Sequence, residues 1–375
     1  MKAIIKEIEP KLKEIFKHLH MHPEISWREN QTTEYLTSLL SSTGCRIRTF
    51  NDMTGLVAEV GNGKPVVALR ADIDALWQEV EGEFQANHSC GHDAHMTIAI
   101  GVIFTLLKKG LPNRGTFRFI FQPAEEKGEG ALAYVEKGVV DDVDFLYGMH
   151  LRPIQELSNG YYSPAIDHGA AKLLTGSIIG DDAHGARPHL NSNAIQVGAE
   201  LIQHINNLHI DSFIPYSVKM TSFHAGGESL NIIPGSGTFS LDIRAQSNDG
   251  LQLIMNKLYS IIKMLSEYHD IQIELKEDTY IAAAVLNDDA IRFMRESIVE
   301  TVGKVKLSPV ITTTGGDDFH FYTIKNPHIK ATMIGIGCDL QPGLHHPNMT
   351  FNFNAIPESV NILATTLLKT VRQVN

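Results

Sequence analysis

The spacing of apolar residues predicts alternating helices and strands in the first part of the chain. From Ile4 to Leu19 the apolar residues recur at helical intervals, which is typical of an amphipathic helix. Two more helices are predicted at residues 31–42 and 94–109, and Gly110 ends the second of them. Strands that are buried on both faces and alternate with such helices indicate an α/β sheet that is at least partly parallel. Short apolar runs predict these strands at residues 55–60, 66–69, 117–121 and 145–149.

A different order of elements is predicted after residue 168. The apolar pattern favours strands at 172–179, 217–223, 238–244 and 271–275, with helices at 193–208 and 249–268. Their order, β-α-β-β-α-β, is that of the ferredoxin-like unit. The earlier pattern then resumes with helices at 288–302 and 357–371 and a strand at 331–336. The smaller unit is therefore predicted to be inserted into the larger one.

The length of the chain supports this division. Its 375 residues suit two domains, because domains commonly contain about 150 residues. We predict an α/β fold in which residues 1–168 and 281–375 form a mixed-sheet α/β/α domain. The inserted domain, which is ferredoxin-like and of the α+β class, is predicted at residues 169–280.

Composition excludes several classes of protein. The chain is 43% hydrophobic and 20% charged, which is ordinary for a globular protein and unlike a disordered chain or a coiled coil. Its net charge of −11 argues against nucleic acid or an anionic membrane surface as a partner. The longest apolar run, residues 98–107, has half the length that a membrane span needs.

The cysteines and the first residues predict a cytoplasmic location. Cys45, Cys90 and Cys338 are odd in number and far apart, which suits a reducing compartment and offers no disulfide framework. Charged and apolar side chains alternate at the start of the chain, without the apolar core that a signal peptide has.

Histidine is unusually frequent, with 18 residues against 3 cysteines, and it is the commonest metal ligand. Cys90 and His92 stand two residues apart where a helix is predicted to begin. With a glutamate and two more histidines they offer sulfur, nitrogen and oxygen ligands, which suit zinc or another late first-row metal. A small buried hydrophobe is the alternative role for Cys90. Side chains that bind metals are concentrated in four segments: 87–95, 122–126, 148–150 and 343–347.

An acidic pair, Glu125 and Glu126, follows a predicted strand, where neighbouring side chains diverge. One of them can bind a metal while the other faces a substrate and moves protons, as metal-dependent hydrolysis requires. The alternative is a solvated acidic pair, and spacing alone leaves both open. His88 and His95 are predicted to be structural or to lie behind the ligands.

The order of these segments has a specific resemblance. Residues 67–76, 90–95, 121–126 and 344–347 resemble the aminoacylase/carboxypeptidase family of co-catalytic metallopeptidases. Within that family they resemble the amidohydrolase branch, which holds hippurate hydrolase, auxin-conjugate hydrolases and N-acetyldiaminopimelate deacetylase. The resemblance runs in order from about residue 15 to residue 355. Further segments that fit are residues 20–24, 184–188, 231–234 and 317–319.

The resemblance implies a site for two divalent metal ions. Cys90 would bridge the ions, with His92 and His150 completing one site and Glu126 and His345 the other. Zinc, manganese, cobalt and nickel all suit this ligand set, with availability deciding among them.

One ligand position has two candidates. His346 stands beside His345 where the family usually has a small residue, so both histidines compete as the ligand. The register of the motif favours His345.

The resemblance also implies the residues that act on the substrate. Glu125 is implied as general base and acid, and His184, in the inserted domain, as the residue that reaches the scissile carbonyl. Asn231, His224 and Arg244 are implied as substrate-binding residues, Arg244 by pairing with a carboxylate. An ordinary surface arginine on a strand is the alternative for Arg244.

The implied activity is hydrolysis of the amide bond of N-acyl amino acids. The partner would be a small N-acyl amino acid or a short peptide, and the inserted domain would serve as a lid and as the contact of a homodimer. Three alternatives stay open. They are a dipeptidase or carboxypeptidase on the same scaffold, a hydrolase with Cys90 as nucleophile, and a binding module without catalysis.

Overall fold

The structure, a computed structural model, describes residues 1–374 of the chain. These residues form two compact units. The first contains residues 1–167 and 285–312 and continues from 318 to the end of the described chain, whereas the second contains residues 168–284 and 313–317. The second unit is thus formed mainly by one continuous stretch that divides the first.

Helices and strands alternate along much of the chain. The α-helices within residues 1–374 are α1 (Lys2–Met21), α2 (Asn30–Ser41), α3 (His92–Lys109), α4 (Gly130–Glu136), α5 (Ala194–Asn206), α6 (Asn248–His269), α7 (Asp288–Val302), α8 (His320–Lys325) and α9 (Ala355–Gln373). The first strands are β1 (Arg46–Thr49), β2 (Leu56–Asn62), β3 (Val66–Asp72), β4 (Leu76–Val80), β5 (Glu83–Asn87), β6 (Gly115–Gln122), β7 (Phe145–Pro153), β8 (Tyr162–Ser163) and β9 (Ile166–His168). The later strands are β10 (Ala170–Ile179), β11 (Ala183–His184), β12 (Tyr216–Ala225), β13 (Ile232–Ile233), β14 (Gly237–Ala245), β15 (Gln272–Ile281), β16 (Ile311–Thr313) and β17 (Lys330–Leu340).

A mixed sheet of seven strands forms the centre of the first unit, in the order β1-β2-β6-β3-β7-β17-β8. Its central strands β6, β3, β7 and β17 run parallel to one another, while β1, β2 and β8 pair antiparallel with their neighbours. All seven residues of β3 are buried, as expected for a strand that is covered on both faces. Because the four central strands are parallel, their carboxyl ends meet at one edge of the sheet.

The core of the first unit depends on close packing between helices and this sheet. The central helix α3 packs against α1, α9 and β3, and it is buried along most of its length. A Cβ atom at Gly101 of α3 would lie 2.5 Å from the Val360 side chain and 3.3 Å from that of Leu12. The missing side chain therefore lets three helices approach closely, which holds the start of α3 in a fixed place beside the sheet.

The second unit is a four-stranded antiparallel sheet with two helices. Its strand order is β12-β14-β10-β15, and α5 packs on β12 while α6 packs on β14, β10 and β15. Alternate residues of β14, beginning at Phe239 and including Leu241 and Ile243, are buried in the core of this unit. The chain order is β-α-β-β-α-β, as in the ferredoxin-like unit.

The predicted fold class, a mixed α/β sheet with an inserted ferredoxin-like unit, is confirmed. The predicted helix at 288–302 has those bounds in the structure, and the strand predicted at 145–149 extends to Pro153. His150 consequently lies inside β7 and not beyond a strand end. No helix among the described residues is both long and apolar enough to cross a bilayer.

Several short elements were not predicted, among them β1, α4, α8 and a hairpin near the metal-binding segments. The strands β4 and β5 form a two-stranded hairpin, which the sequence pattern did not predict because half of its strand residues are polar and none is buried. Glu81 and Gly82 connect the strands, and both have positive φ angles, 54° and 89°. Two such residues between short strands are typical of a type I′ turn, so the Glu-Gly pair was the signal available in the sequence.

Candidate metal centre

Parallel strands bring the chemistry-bearing segments together at one edge of the sheet. Asp74 lies two residues beyond β3, Glu125 and Glu126 follow the end of β6 at Gln122, and His150 lies near the end of β7. The loop after β17 carries His345. Segments that are far apart in sequence therefore meet because the carboxyl ends of neighbouring parallel strands coincide, which is where sites form in open α/β sheets.

A glycine between the first two candidate ligands shapes the start of α3. Gly91 has a φ of 84°, a backbone conformation that residues with a Cβ atom rarely adopt. His92 then begins the helix. A Cβ atom at Gly91 would lie 2.8 Å from the Leu151 side chain. This turn allows Cys90 and His92, only two residues apart, to direct their side chains into one cluster.

The cluster consists of two groups of three residues that share one cysteine. A ligand atom of Cys90, one of His92 and one of His150 lie within 4.8 Å of one another, and so do atoms of Cys90, Glu126 and His345. These are the two groups that the family resemblance implies. Their role as metal ligands stays a proposal.

Hydrogen bonds to Nδ1 orient two of the histidines, and Nε2 of His150 lies 3.6 Å from Cys90 Sγ. His92 Nδ1 lies 2.9 Å from the carbonyl oxygen of Asp74, and His150 Nδ1 lies 2.7 Å from that of Leu151. A carbonyl oxygen only accepts hydrogen bonds, so Nδ1 carries the proton in each neutral ring and Nε2 keeps its lone pair. The backbone partners therefore set the tautomer that metal binding requires.

Two further observations are consistent with a metal ion bound by these residues. Among the described residues, His92 Nε2 and Glu126 Oε1 are buried atoms without a hydrogen-bond partner, and they lie 3.8 Å apart. A buried polar atom without a partner costs free energy unless another group compensates it. The donors of the cluster are sulfur, nitrogen and carboxylate oxygen, the set that zinc and other late first-row metals accept.

The electrostatic environment of the cluster is that of several ionisable groups held away from water. Burial raises the pKa of the Cys90 thiol well above its usual value, and the negative charge of Glu126 adds to the effect. Burial also raises the pKa of Glu126 to about 7, although the nearby His92 counteracts it. For His92 burial lowers the pKa, but Asp72, Cys90 and Asp74 together outweigh burial and hold the pKa well above its usual value. A divalent cation would relieve this excess of buried acidic groups.

The proposed proton-transfer residue lies beside the cluster. Glu125 Oε2 is 4.0 Å from His92 Nε2, and the Glu125 side chain is 11% exposed. Glu125, Glu126 and His92 also form a group whose ligand atoms lie within 4.8 Å of one another. The two glutamates thus both approach Nε2 of one histidine.

Of the two adjacent histidines in the last segment, His345 belongs to the cluster. Its Nε2 lies 3.5 Å from Glu126 Oε2, whereas His346 Nδ1 accepts a hydrogen bond from the backbone N–H of Asn348 at 3.1 Å. The hairpin of β4 and β5 supports this loop, because Gln78 donates a hydrogen bond to the His345 carbonyl oxygen at 3.0 Å.

A buried charge network lies behind the cluster; the sequence predicted that His95 is structural but did not identify the ion pairs of Arg70. Arg70 of β3 is fully buried and forms ion pairs with Asp72 and with Asp318. His95 Nδ1 lies 2.7 Å from Asp72 Oδ1, and His95 Nε2 accepts the Leu151 N–H at 3.1 Å. Both nitrogens of His95 are therefore engaged within the protein. The available signal was the presence of two charged residues, Arg70 and Asp72, at alternate positions of an otherwise apolar strand.

We expect Arg70→Met to lower the free energy of unfolding of the metal-free protein by about 3–5 kcal/mol, because two buried carboxylates lose their counter-charge. The matched control is Arg46→Met, since Arg46 is 60% exposed in its ion pair with Glu59 and such pairs contribute about 1 kcal/mol or less. Urea unfolding measures the free energy of unfolding of both variants. Equal losses in the two variants would contradict the expectation.

The remaining predicted residues lie in the second unit. His184 is exposed on β11, and its Nδ1 accepts the N–H of Ala186 at 3.0 Å. Asn231 precedes β13, the strand that pairs with β11, and its carbonyl oxygen accepts the N–H of Gly185 at 2.7 Å. The structure thus brings the segments of His184 and Asn231 together.

The other two predicted substrate-binding residues lie on neighbouring strands of the four-stranded sheet. His224 is exposed on β12 and lines a cavity of about 510 Å³ together with Asp182 and Glu228. Arg244, on β14, donates a hydrogen bond from Nε to Asp242 at 2.7 Å. Arg244 therefore already has a carboxylate partner within its own strand, and its side chain is 40% exposed.

The chain is similar in sequence to known proteins. Residues 68–369 match the sequence profile of peptidase family M20/M25/M40. An N-acyl-L-amino acid amidohydrolase from Geobacillus stearothermophilus is 32% identical over 306 residues, which cover 77% of this chain and 81% of the relative. An N-acetyl-L-cysteine deacetylase from Bacillus subtilis is 28% identical over 367 residues, which cover 93% of this chain and 85% of the relative.

A solved structure has the same fold. It is a dinuclear metal-binding peptidase of the M20 family from Bacillus subtilis, with a TM-score of 0.83 and 24% identity. The match covers 100% of both chains.

Proposed function

The chain belongs to peptidase family M20/M25/M40, and from that membership we propose that it is a two-metal amidohydrolase that cleaves the amide bond of N-acyl amino acids. The predicted enzyme class, a hydrolase of amide bonds, is confirmed by the family and by the relatives that match. The observation that carries the proposal is the pair of three-residue groups that share Cys90 and adjoin Glu125.

The first ion would be held by Cys90, His92 and His150, and the second by Cys90, Glu126 and His345. Two divalent ions in such a site polarise a substrate carbonyl and make water easier to deprotonate. The histidines present Nε2 because backbone carbonyl oxygens hold Nδ1 of His92 and of His150. The ligands are thus oriented before an ion binds, which lowers the cost of binding it.

Glu125 transfers a proton from the attacking water to the leaving amine. The oxygen of water adds to the carbonyl carbon, the carbonyl oxygen becomes an oxyanion, and Glu125 accepts the proton that this water loses. Glu125 then gives that proton to the nitrogen of the leaving amine as the carbonyl re-forms and the C–N bond breaks. The side chain is nearly buried, so little bulk water competes for it. His184 is proposed to donate a hydrogen bond to the developing oxyanion, an interaction whose loss costs about 10²–10³ in rate.

The substrate class is supported by the relatives. Two of them are named as enzymes that act on N-acyl-L-amino acids or on N-acetyl-L-cysteine. A peptidase on the same scaffold is the second candidate, because the family and the matching Bacillus subtilis structure are described as peptidases.

A side-by-side assay separates the two candidates. Protein reconstituted with zinc, manganese, cobalt or nickel is tested against a panel of N-acyl amino acids and against dipeptides. We expect the higher kcat/KM for N-acyl amino acids. A higher kcat/KM for dipeptides would favour the peptidase, and hydrolysis of neither would contradict the proposal.

The alternative of a thiol nucleophile has little physical support. Nucleophilic cysteines have a lowered pKa, whereas burial and Glu126 raise the pKa of Cys90. If Cys90 were the nucleophile, alkylation would stop hydrolysis and chelation of metal would not. We expect chelation to stop hydrolysis.

The finer assignments are proposals that rest on the family resemblance. The two ions are proposed to be zinc, manganese, cobalt or nickel, and the residues His184, Asn231, His224 and Arg244 to contact the substrate. The residues 169–280 are proposed as a lid and as the contact of a homodimer in the cytoplasm. Light scattering of the full chain tests the dimer.

A further inference from the structure

The segment that carries both glutamates of the site begins with a strained residue. Ala124 precedes Glu125 and Glu126, and its φ is 52°. Residues with a Cβ atom rarely adopt this left-handed conformation, which persists only where the surroundings hold it. Ala124 is completely buried, so what holds it must be a group within the protein.

A buried carboxylate contacts this residue. Glu29, the residue before α2, is fully buried, and its Oε1 accepts the backbone N–H of Ala124 at 2.9 Å. Its Oε2 accepts the hydroxyl of Thr54 at 2.5 Å. Buried carboxylates are costly unless they are hydrogen-bonded, and here one of the two partners is the backbone of the catalytic segment.

The carbonyl group of Ala124 is hydrogen-bonded as well. Its carbonyl oxygen accepts the N–H of Glu129 at 3.3 Å and of Gly130 at 3.2 Å. The N–H of Glu126 donates to Asp74 Oδ2 at 3.1 Å. Two buried carboxylates, Glu29 and Asp74, therefore hold successive parts of one short segment, and the orientation of Glu125 follows from both.

From this geometry we propose that Glu29 is a positioning residue, which holds Ala124 in the left-handed conformation and thereby directs Glu125 and Glu126 into the metal cluster. Glu29 contacts neither metal nor substrate in this proposal. Its part in turnover rests on the proposed function, whereas its part in placing Glu126 is independent of the substrate.

The test variant is Glu29→Met, which keeps the volume of the side chain and removes the acceptor. We expect kcat for an N-acyl amino acid to fall about 10²-fold, as for other small displacements of catalytic groups, with KM changed less than about threefold. Glu29→Gln should restore most of kcat, because its carbonyl oxygen still accepts the Ala124 N–H and Thr54 can accept from its amide.

Two controls separate positioning from general destabilisation. Thr54→Val removes the other hydrogen bond of the same carboxylate and should leave kcat nearly unchanged. Glycine adopts a positive φ at no steric cost, so in an Ala124→Gly background Glu29→Met should reduce kcat several-fold less than in the native protein. A loss of kcat that is equal in Thr54→Val, or unchanged in the glycine background, would overturn the proposal.

A second readout requires no substrate. Co²⁺ is titrated into metal-free protein and followed by its visible absorption. In Glu29→Met we expect the second ion to bind about 10-fold or more weakly, as for other groups that orient ligands, while the first ion binds as before. Native binding of both ions by the folded variant would overturn the proposal even if N-acyl amino acids prove not to be substrates. If Glu29→Met does not fold, Glu29→Gln and Thr54→Val are compared in the same titration. Near-native second-ion binding in both variants would support the proposal, and clearly weaker second-ion binding in either would overturn it.

Discussion

Glu125→Gln is expected to abolish nearly all amide hydrolysis while the fold and the bound metal are retained. The amide has the size of the carboxylate but does not accept a proton, so the attacking water is not deprotonated and the leaving amine is not protonated. Loss of a general acid–base group costs about 10²–10⁴-fold, and the loss should fall on kcat. Steady-state kinetics and metal analysis of the same sample measure both effects.

The matched control is Glu136→Gln, the same chemical change at an exposed position of α4. It should leave kcat and metal content unchanged. Substantial hydrolysis by Glu125→Gln with a full complement of metal would remove Glu125 from the role of general base.

Cys90→Ala is expected to have the second large effect, because Cys90 belongs to both three-residue groups. Removing its sulfur weakens both sites at once, so the variant should retain less than one equivalent of metal and lose hydrolysis. His150 and His345 each belong to one of these two groups. His150→Ala and His345→Ala should therefore each lose about one of two equivalents.

His346→Ala is the control for these variants. His346 is exposed and adjacent to His345. The His346→Ala variant should therefore retain both equivalents of metal. Loss of metal in His346→Ala with none in His345→Ala would reverse the assignment of that ligand. Full metal content in Cys90→Ala would contradict a bridging cysteine.

Much of the fold could be predicted because its elements carry local signals. The apolar face of α1 and the continuous apolar run of β3 are visible in sequence, and so is the order of elements in the second unit. Parallel strands then place their carboxyl ends together, which is why Glu126 and His345 meet although 218 residues separate them in sequence.

The parts that could not be predicted depend on partners far away in sequence. Arg70 pairs with Asp318, and no local pattern identifies such a partner. The strain at Ala124 is equally hidden, because alanine is not a residue that signals a positive φ. The Glu29 carboxylate that accepts the Ala124 N–H lies 95 residues earlier in sequence, so this contact is recognised only in the three-dimensional structure.

The most direct test of the account is a metal titration of metal-free protein in which bound metal and hydrolysis of an N-acyl amino acid are measured together. We predict no hydrolysis without metal, about two equivalents bound at saturation, and full activity only when both sites are filled. Hydrolysis by protein shown to be free of metal, or the absence of any bound metal at saturation, would contradict the two-metal account.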